Sequence, residues 1–452
     1  MNINLLKICK ELLENNNIIE LNNNIFFKSK DDYKKYCLDL LKNKLNNILN
    51  KPRISISQVN KIQKVYCPDN NGTIDNLLLL DYNKLAIKNL KLLKGDLLEI
   101  NNNYVLVDNI NSDFQIEVQF IKYKKINLND NICKIVNLKK YNRIYNSIQN
   151  SNKFILRNLL NPNLFLTKLS NPKIKSEFWN DDQKNAIYNL TKNTENKKIH
   201  LIEGPNNTGK TTLLLGVLQN INSRFENLNF LIINGNKNLN KLVNKLKIQQ
   251  NILIPNKWFM IIGDNNFLDK QLHEYTITNY INEYINSIAN IENYVIKMEN
   301  SNHEKNLLFS KLFEFIKNVI NNLPIVPFHN NKTILEIIEC NKNNYIQCVN
   351  EIQFILNKWK YTQFINNVLI EKCNIIISTI CSSGCSCFEI YKPDIIIIDD
   401  AEKLGELDIL IPIKDITQKL LLFYNYNKLT NNSFVNRLIL GGCNIHKLNQ
   451  IF

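Results

Sequence analysis

The chain has 452 residues, a net charge of +15 and a pI near 9.1, and this length predicts about three domains with room for a sizeable core. No apolar stretch approaches the ~18 residues needed to span a bilayer, and the N-terminus lacks an apolar signal region, so we expect a soluble protein of the cytoplasm, the nucleus or both. The positive charge suits a phosphate-rich partner, but Lys, Asn and Ile are frequent throughout, so biased coding explains it equally well.

The cysteines indicate an intracellular redox state. Eleven cysteines without paired spacing favour reduced thiols over a disulfide framework. Only Cys381, Cys385 and Cys387 cluster. A zinc site would need a fourth ligand and no His lies near them, so thiols are favoured over zinc.

The first third of the chain changes its hydrophobic period twice. Residues 1–50 have helical spacing and predict an N-terminal helical segment. Residues 51–137 carry six short alternating runs separated by turn residues, which predict a small antiparallel β-barrel. These runs are Ile62–Cys67, Leu77–Tyr82, Leu97–Ile100, Tyr104–Ile110, Phe114–Ile121 and Ile132–Val136.

Helical spacing returns after the barrel. Residues 138–176 predict a helical stalk or linker, with apolar side chains recurring on one face. A further helix is expected through Ala186, Ile187 and Leu190, with Asn180 or Asp181 as its cap.

Residues 204–212 read Gly-Pro-Asn-Asn-Thr-Gly-Lys-Thr-Thr and follow the apolar run Ile199–Ile202. The pattern G-x-x-x-x-G-K-[ST] between a strand and a helix predicts a phosphate-binding loop, because backbone N–H groups and a helix N-terminus form a concave anion site. Lys210 would reach the β- and γ-phosphates, and the Thr211 hydroxyl would ligate Mg²⁺. Asn207 stands where many such loops have Gly, and Asn tolerates a left-handed backbone better than other non-Gly residues do.

The rest of the chain predicts an α/β domain with a parallel sheet, interrupted by an insertion. Residues 177–245 and 372–452 would form the two parts of this domain, and residues 246–371 a helical, Asn-rich insertion whose composition is equally compatible with partial disorder. The expected buried strands are Phe230–Ile233, Asn374–Ser378, Ile395–Ile398 and Val435–Leu440.

An acidic pair, Asp399 and Asp400, follows the β-branched run Ile395–Ile398. Downstream of a phosphate-binding loop, such a pair is what Mg²⁺–nucleotide chemistry needs, since one carboxylate orients the metal and its neighbour activates water. Asp399 is the candidate metal ligand, and Asp400 is the candidate base that activates water.

The order of these motifs resembles the first motor domain of superfamily 1B helicases, of the up-frameshift and immunoglobulin-mu-binding type. The resemblance covers about residues 60–452, most specifically at the phosphate-binding loop and the acidic motif. It rests on the following residues in order: Gln183, Gly204 to Thr211, Asn234-Gly235-Asn236-Lys237, Ser378-Thr379, Asp399-Asp400-Ala401-Glu402-Lys403 and Gly441-Gly442.

The resemblance implies a RecA-like P-loop NTPase domain that takes ATP and Mg²⁺ and acts on RNA or single-stranded DNA. It implies that Gln183 contacts the adenine edge, that Asp399 holds the metal together with Thr211, and that Lys210, Asp399 and Asp400 carry catalysis. Asn236, Lys237 and Thr379 would lie along the nucleic-acid strand. The implied ATP-binding set is Gln183, Gly204, Pro205, Asn206, Asn207, Thr208, Gly209, Lys210, Thr211 and Thr212.

Three departures from the family pattern bear on turnover. Relatives carry Asp-Glu-Ala-x-Gln, whereas this chain places Asp400 and Lys403 at the Glu and Gln positions. The next motif, Gly-Asp-x-x-Gln-Leu-Pro-Pro, is matched only loosely by Gly441 to Gln450. No second motor domain with arginine fingers follows in the 452 residues, so we expect that a downstream segment or a partner supplies it, or that the protein works without turnover.

Three hypotheses therefore stay open. The chain is an ATP-dependent helicase module, completed by a second motor domain; or a non-catalytic nucleic-acid-binding or scaffolding protein derived from a helicase; or a P-loop switch or NTPase of another class. No membrane partner is expected. The sequence does not distinguish RNA from DNA, because strand contacts in this family go mainly to backbone and stacking surfaces.

Overall fold

The computed structural model describes most of the chain in separate stretches. Described are residues 5, 8, 9, 11, 12, 26–50, 57–58, 61–68, 74–81, 92–100, 103–110, 115–122, 131–150, 179–191, 198–205, 208–224, 228–253, 258–263, 268–299, 305–321, 323–329, 332–341, 344–414 and 417–449. Within this part of the chain no helix is both long and apolar enough to cross a bilayer. Most of the predicted stalk, residues 151–176, lies outside the described residues.

The α-helices and strands of the described residues have the following bounds. The helices are α1 (Lys30–Leu49), α2 (Lys139–Asn150), α3 (Asp181–Thr191), α4 (Lys210–Arg224), α5 (Asn236–Leu253), α6 (Ile277–Glu299), α7 (Lys305–Ile320), α8 (Ile334–Cys340), α9 (Tyr345–Trp359), α10 (Thr362–Lys372), α11 (Cys387–Ile390), α12 (Glu406–Ile409) and α13 (Phe434–Leu440). The strands are β1 (Ser57–Gln58), β2 (Lys61–Pro68), β3 (Ile74–Asp81), β4 (Asp96–Ile100), β5 (Asn103–Ile110), β6 (Gln115–Lys122), β7 (Asn131–Asn137), β8 (Lys198–Glu203), β9 (Phe230–Ile233), β10 (Phe259–Ile262), β11 (Phe328–His329), β12 (Lys332–Thr333), β13 (Ile375–Ser378), β14 (Ile395–Ile398), β15 (Lys419–Tyr424) and β16 (Ile445–Lys447).

The chain divides into two compact units. The first contains residues 1–161 together with residues 405–413, and the second contains residues 162–404 and 414–452. The segment 405–413 follows the acidic motif directly in sequence, yet it packs with the N-terminal unit.

The first unit is built on an antiparallel sheet with the strand order β1-β7-β4-β5-β6-β3-β2. Its two edge strands, β1 and β2, are separated in sequence only by residues 59 and 60. Because so short a connection spans at most ~11 Å, the sheet must curl until its edges come together, as in a barrel. The six strands predicted between residues 61 and 137 are confirmed.

Helices α1 and α2 complete the first unit. The Ser29 hydroxyl accepts the Asp32 N–H and caps α1, and α2 buries the predicted apolar face that includes Tyr141 and Ile144. The segment 405–413 is held here by polar contacts: the Tyr33 hydroxyl donates to Glu406 Oε1 at 2.6 Å, and Lys140 Nζ lies 2.6 Å from Asp408 Oδ1.

The second unit is built on a parallel sheet with the strand order β10-β13-β9-β14-β15-β8-β16. Strands β9, β13 and β14 are buried at every position, as expected of strands covered on both faces. Helices α3, α4 and α5 contribute Ile187, Leu214 and Val243 to the same core as Ile232 and Ile397. The predicted α/β fold class, a RecA-like domain with a parallel sheet, is therefore confirmed.

One predicted strand of this sheet is wrong, and three strands were not predicted. Val435–Leu440 was expected to be a strand but lies in the helix α13, where the Ser433 hydroxyl accepts the Asn436 N–H as an N-cap. The sequence interpretation also missed β15, which lies between β14 and β8 in the centre of the sheet, and the edge strands β10 and β16.

Helices α6 to α10 lie between β10 and β13 in sequence and account for most of the predicted insertion. Tyr284 and Trp359 stack in its core with ring centroids 5.3 Å apart. The Tyr284 hydroxyl also donates to Ile325 O at 2.7 Å and accepts the Ile325 N–H at 2.9 Å. Residues 259–262, which were included in the helical stretch 246–371, instead pair with β13 as the strand β10.

Candidate nucleotide-binding site

The loop that joins β8 to α4 has the backbone expected of a phosphate-binding loop. Gly209 adopts φ 77°, a left-handed conformation that disfavours residues with a Cβ. At Gly204 a Cβ atom would lie 2.5 Å from Thr208 Oγ1, so the loop is too tight for a side chain there. Asn206 and Asn207, both predicted ATP-binding residues, lie outside the described residues.

The Lys210 side chain lies within the loop. Its Nζ donates to Gly204 O at 2.6 Å and to Pro205 O at 2.9 Å, and the Thr208 hydroxyl also donates to Pro205 O, at 2.9 Å. Thr211 and Thr212 follow in the first turn of α4 and are half-buried. The ammonium group is therefore held at the N-terminal end of a helix, where the backbone favours anions.

The acidic pair occupies the turn after β14. Asp399 Oδ1 accepts the Asp400 N–H at 3.1 Å, and Asp399 Oδ2 accepts from Asn234 Nδ2 at 3.4 Å. Burial, with a smaller contribution from the Asp400 charge, raises the pKa of Asp399 to about 6. Asp400 has φ 56° and is the sole non-glycine residue with a positive φ in the described stretches; such backbone strain is concentrated at functional sites.

Lys210 and the acidic turn share one site. Burial lowers the pKa of Lys210, and the negative charges of Asp399, Glu402 and Asp400 oppose that shift. Strand β15 lies between β14, which precedes the acidic turn, and β8, which precedes the loop. The loop is bonded to the end of β15, where Gly204 N donates to Tyr424 O at 3.1 Å. The structure thus brings together the three residues predicted to be catalytic, Lys210, Asp399 and Asp400.

The carboxylate of Asp400 already has a cationic partner. Lys403 Nζ lies 3.0 Å from Asp400 Oδ2, and the lysine is the more exposed of the two side chains. The ion pair therefore occupies an oxygen of the carboxylate that was predicted to act as the base.

Two charged residues near the site were not singled out by the sequence interpretation. Glu402 is 1% exposed; its Oε2 accepts the Asn425 N–H at 3.3 Å, while its buried Oε1 has no hydrogen-bond partner in the described part of the chain. Lys428 follows β15 and lowers the pKa of Lys210 through its positive charge. Nothing in the local sequence distinguishes Glu402 from a solvent-facing glutamate.

Gln183 lies at the start of α3 in a reciprocal cap. Its Oε1 accepts the Asn180 N–H at 3.3 Å, and its N–H donates to Asn180 Oδ1 at 2.9 Å. The side chain is fully buried, yet Nε2 has no partner among the described residues. A buried amide donor without a partner costs free energy, and a nucleobase acceptor would satisfy it.

The predicted nucleic-acid contacts follow two adjacent strands of the sheet. Asn236 and Lys237 begin α5 after β9, although their side chains lie outside the described residues, and Thr379 follows β13. The Thr379 hydroxyl donates to Ser382 Oγ at 3.0 Å and accepts the Ser382 N–H at 3.3 Å. All three positions lie at the carboxyl ends of parallel strands, where ligands of open α/β sheets bind.

The residues present fit ATP with Mg²⁺. The loop offers amides and an ammonium group for phosphates, Gln183 offers an unpartnered donor, and Thr211 and Asp399 offer the hard oxygen ligands that Mg²⁺ prefers. Mg²⁺ is usually bound by one or two protein oxygens together with substrate phosphates. No group of three His, Cys, Asp or Glu side chains in the described stretches could hold a metal ion, and Cys381, Cys385 and Cys387 form no such group.

The segment that loosely matches the next family motif lies away from the acidic strand. Gly441 to Asn449 follow α13 and lead into the edge strand β16, whereas β15 is the neighbour of β14. The match of Gly441 to Gln450 to that motif stays a prediction.

Comparison with known proteins agrees with this architecture. A family model described as an AAA domain matches residues 179–423, from the residue before Asn180 to the penultimate residue of β15. No curated protein matches the chain. The matched segment covers more than half of the chain and contains the phosphate-binding loop and the acidic turn. The chain therefore belongs to the AAA-domain family of P-loop proteins, in the form found in superfamily 1 helicase-like proteins.

Proposed function

We propose that the chain is the ATP-binding first motor domain of a superfamily 1 helicase, of the up-frameshift and immunoglobulin-mu-binding type. The observation that carries the proposal is the meeting of Lys210 with Asp399 at the carboxyl edge of one parallel sheet. In this proposal Lys210 binds the β- and γ-phosphates, Thr211 and Asp399 hold Mg²⁺, and Gln183 binds the adenine edge. ATP hydrolysis requires a second motor domain that supplies arginine fingers.

The nucleic-acid partner in this proposal is RNA or single-stranded DNA. The strand would run over the carboxyl ends of β9 and β13, past Asn236, Lys237 and Thr379. The net charge of +15 supports binding to a phosphate backbone. Such contacts would show little sequence preference and a strong dependence on salt.

Nucleic-acid-stimulated ATP hydrolysis tests the proposal. ATPase rates are measured with and without single-stranded RNA and DNA, for the chain alone and with a second motor domain supplied in trans or fused. We expect stimulation by at least about tenfold in the completed protein, since an arginine finger alone is typically worth ~10³–10⁵ in rate. An unstimulated rate in the completed protein would contradict the proposal.

The second candidate is a nucleic-acid-binding or scaffolding protein that binds nucleotide without turnover. The observation in its favour is the ion pair between Lys403 and Asp400, which occupies the expected base. In that case ATP and nucleic acid both bind, the affinity for nucleic acid falls steeply with salt, and no phosphate is released.

A further inference from the structure

We propose that Glu402, rather than Asp400, is the carboxylate that works beside Asp399 on the Mg²⁺–nucleotide. This inference rests on the proposed nucleotide-binding function and assigns one residue of that site. Its basis is the contrast between two acidic side chains of the same turn. Asp400 is paired with a lysine, whereas Glu402 is buried and has one oxygen without a hydrogen-bond partner in the described stretches.

Asp400 is poorly placed for the role that its position in the motif predicts. Its carboxylate is held by Lys403 Nζ at 3.0 Å, and its backbone is left-handed at φ 56°. The side chain is also one methylene shorter than the Glu of the family pattern. A base must lie within hydrogen-bonding distance of the water from which it takes a proton. Asp400 has a shorter side chain than Glu, and its carboxylate is already paired with Lys403.

Glu402 has the properties that Asp400 lacks. Residues 401–403 form one 3₁₀ turn directly after Asp400, and Glu402 lies in the middle of that turn. The glutamate is 1% exposed, and its only described hydrogen bond fixes Oε2 to the Asn425 N–H at the end of β15. Among the described residues Oε1 has no hydrogen-bond partner.

The electrostatic surroundings agree with this position. Burial lowers the pKa of Lys210 and raises the pKa of Asp399, and at both groups the negative charge of Glu402 adds a smaller upward contribution, so its carboxylate interacts electrostatically with both. A buried carboxylate with an unpartnered oxygen is costly unless a cation or a water molecule completes it. Bound Mg²⁺ and its waters would provide that partner.

The chemistry assigned to Glu402 is the activation of one water molecule. Oε1 accepts a proton from the water, whose O–H bond breaks while its oxygen forms a bond to the γ-phosphorus. The bond from the γ-phosphorus to the bridging oxygen breaks, and its electron pair leaves with ADP. The proton passes from Glu402 to solvent or to the released phosphate, so the carboxylate is restored.

Glu402→Gln is the decisive variant, because glutamine keeps an oxygen that can accept the Asn425 N–H and removes only the charge. Asp400→Asn is the matched control at the position that the family pattern favours. Two quantities are measured on the full chain: the Mg²⁺ concentration that gives half-maximal binding of a fluorescent ATP analogue, and single-turnover hydrolysis of ATP. Thermal denaturation checks that each variant folds.

We expect Glu402→Gln to raise the half-maximal Mg²⁺ concentration at least fivefold and to slow any measurable hydrolysis at least tenfold. Asp400→Asn should change each quantity less than threefold. A larger effect of Asp400→Asn, or no effect of Glu402→Gln on Mg²⁺ dependence, overturns the assignment. If wild-type protein binds no nucleotide, the proposed function itself fails, which is a separate outcome.

A rescue experiment separates charge from fold. Adding Asp400→Glu and Lys403→Gln to Glu402→Gln restores the family pattern Asp-Glu-Ala-x-Gln. We expect the half-maximal Mg²⁺ concentration of this triple variant to lie within twofold of the wild-type value, because a carboxylate without a lysine partner is again present on the turn. If Glu402→Gln fails to fold, Glu402→Asp replaces it as the test. The charge is kept but the carboxylate is one methylene shorter, so a half-maximal Mg²⁺ concentration raised at least threefold supports the assignment and an unchanged value contradicts it.

Discussion

The phosphate-binding loop and the acidic turn contribute to the same site but differ in how closely they follow the family pattern. The loop from Gly204 to Thr211 keeps both glycines and the lysine, and its backbone shows the left-handed Gly209 that the pattern requires. The acidic turn keeps Asp399 but carries Asp400 and Lys403, which form an ion pair with each other. The difference teaches that the phosphate-binding loop keeps its family pattern while the acidic turn of the same site departs from it.

Lys210→Ala gives the largest effect on the loop side of this comparison. In the proposed function the ammonium faces the phosphates, and its removal deletes a charge-assisted interaction worth about 2–3 kcal/mol, so ATP affinity should fall about 30- to 150-fold. Fluorescence titration with an ATP analogue measures the change. Lys297→Ala, in an exposed position of α6, is the control and should bind as wild type does. Equal affinities for the two variants would contradict a phosphate role for Lys210.

The pH dependence of stability reports on the strand that precedes the loop. His446 in β16 pairs with Ile202 of β8, and its Nε2 lies 3.3 Å from His200 Nδ1. Burial lowers the pKa of His446 from 6.5 to about 4. Between these values the unfolded chain binds a proton that the folded chain does not, so stability falls as pH drops from about 6.5 to about 4.

His446 should contribute roughly 2–3 kcal/mol to that fall. Urea denaturation at several pH values measures the free energy of unfolding for wild type and for His446→Gln. The variant should show a shallower slope over the same window, since it has no proton to bind at this position. Identical slopes would contradict a buried neutral histidine.

Gly216→Ala probes the packing of the loop's helix. A Cβ at this position of α4 would lie 2.7 Å from Trp179 Cη2 and 2.8 Å from Ile187 Cδ1. Overpacking costs about 1–3 kcal/mol, and the higher helix propensity of alanine offsets up to ~1 kcal/mol of it. We expect a net loss of about 1–2 kcal/mol in urea denaturation. Gly263→Ala is the control because nothing lies within 4 Å of its Cβ position.

Lys403→Gln should give the smallest change in stability, and it tests the ion pair of the acidic turn. Its ion pair with Asp400 is partly exposed, so breaking it should change the free energy of unfolding by less than about 1 kcal/mol. Nucleotide affinity should also stay within about twofold of wild type, since Asp400 is not assigned a role in binding. A loss of stability above 2 kcal/mol in urea denaturation would show that the ion pair is structural.

Much of the fold follows from the hydrophobic pattern, and the exceptions have physical causes. The six strands between residues 61 and 137 alternate with period two and are separated by turn residues, so local sequence sufficed. Val435–Leu440 is a short apolar run, which periodicity alone cannot assign to a strand or a helix. The N-cap at Ser433 favours the helix that the structure shows. The edge strand β10 is four residues long and pairs with β13, more than a hundred residues away.

The candidate site was predictable where the motif itself places the backbone. Lys210 and Asp399 could be assigned because a strand followed by a glycine-rich loop, and a strand followed by an acid, end at the same sheet edge. Glu402 could not be assigned, since its burial depends on the end of β15, a strand that the pattern did not identify. The partner of Asp400 was equally hidden, because an ion pair three residues apart depends on the shape of the turn.

Calorimetric titration of the wild-type chain with ATP, once in Mg²⁺ and once in EDTA, tests most directly whether the loop and the acidic turn form one working nucleotide site. Binding at a single site, with affinity at least about tenfold higher in Mg²⁺, is the predicted result. Saturable binding that is indifferent to Mg²⁺, or no saturable binding in either buffer, would contradict it.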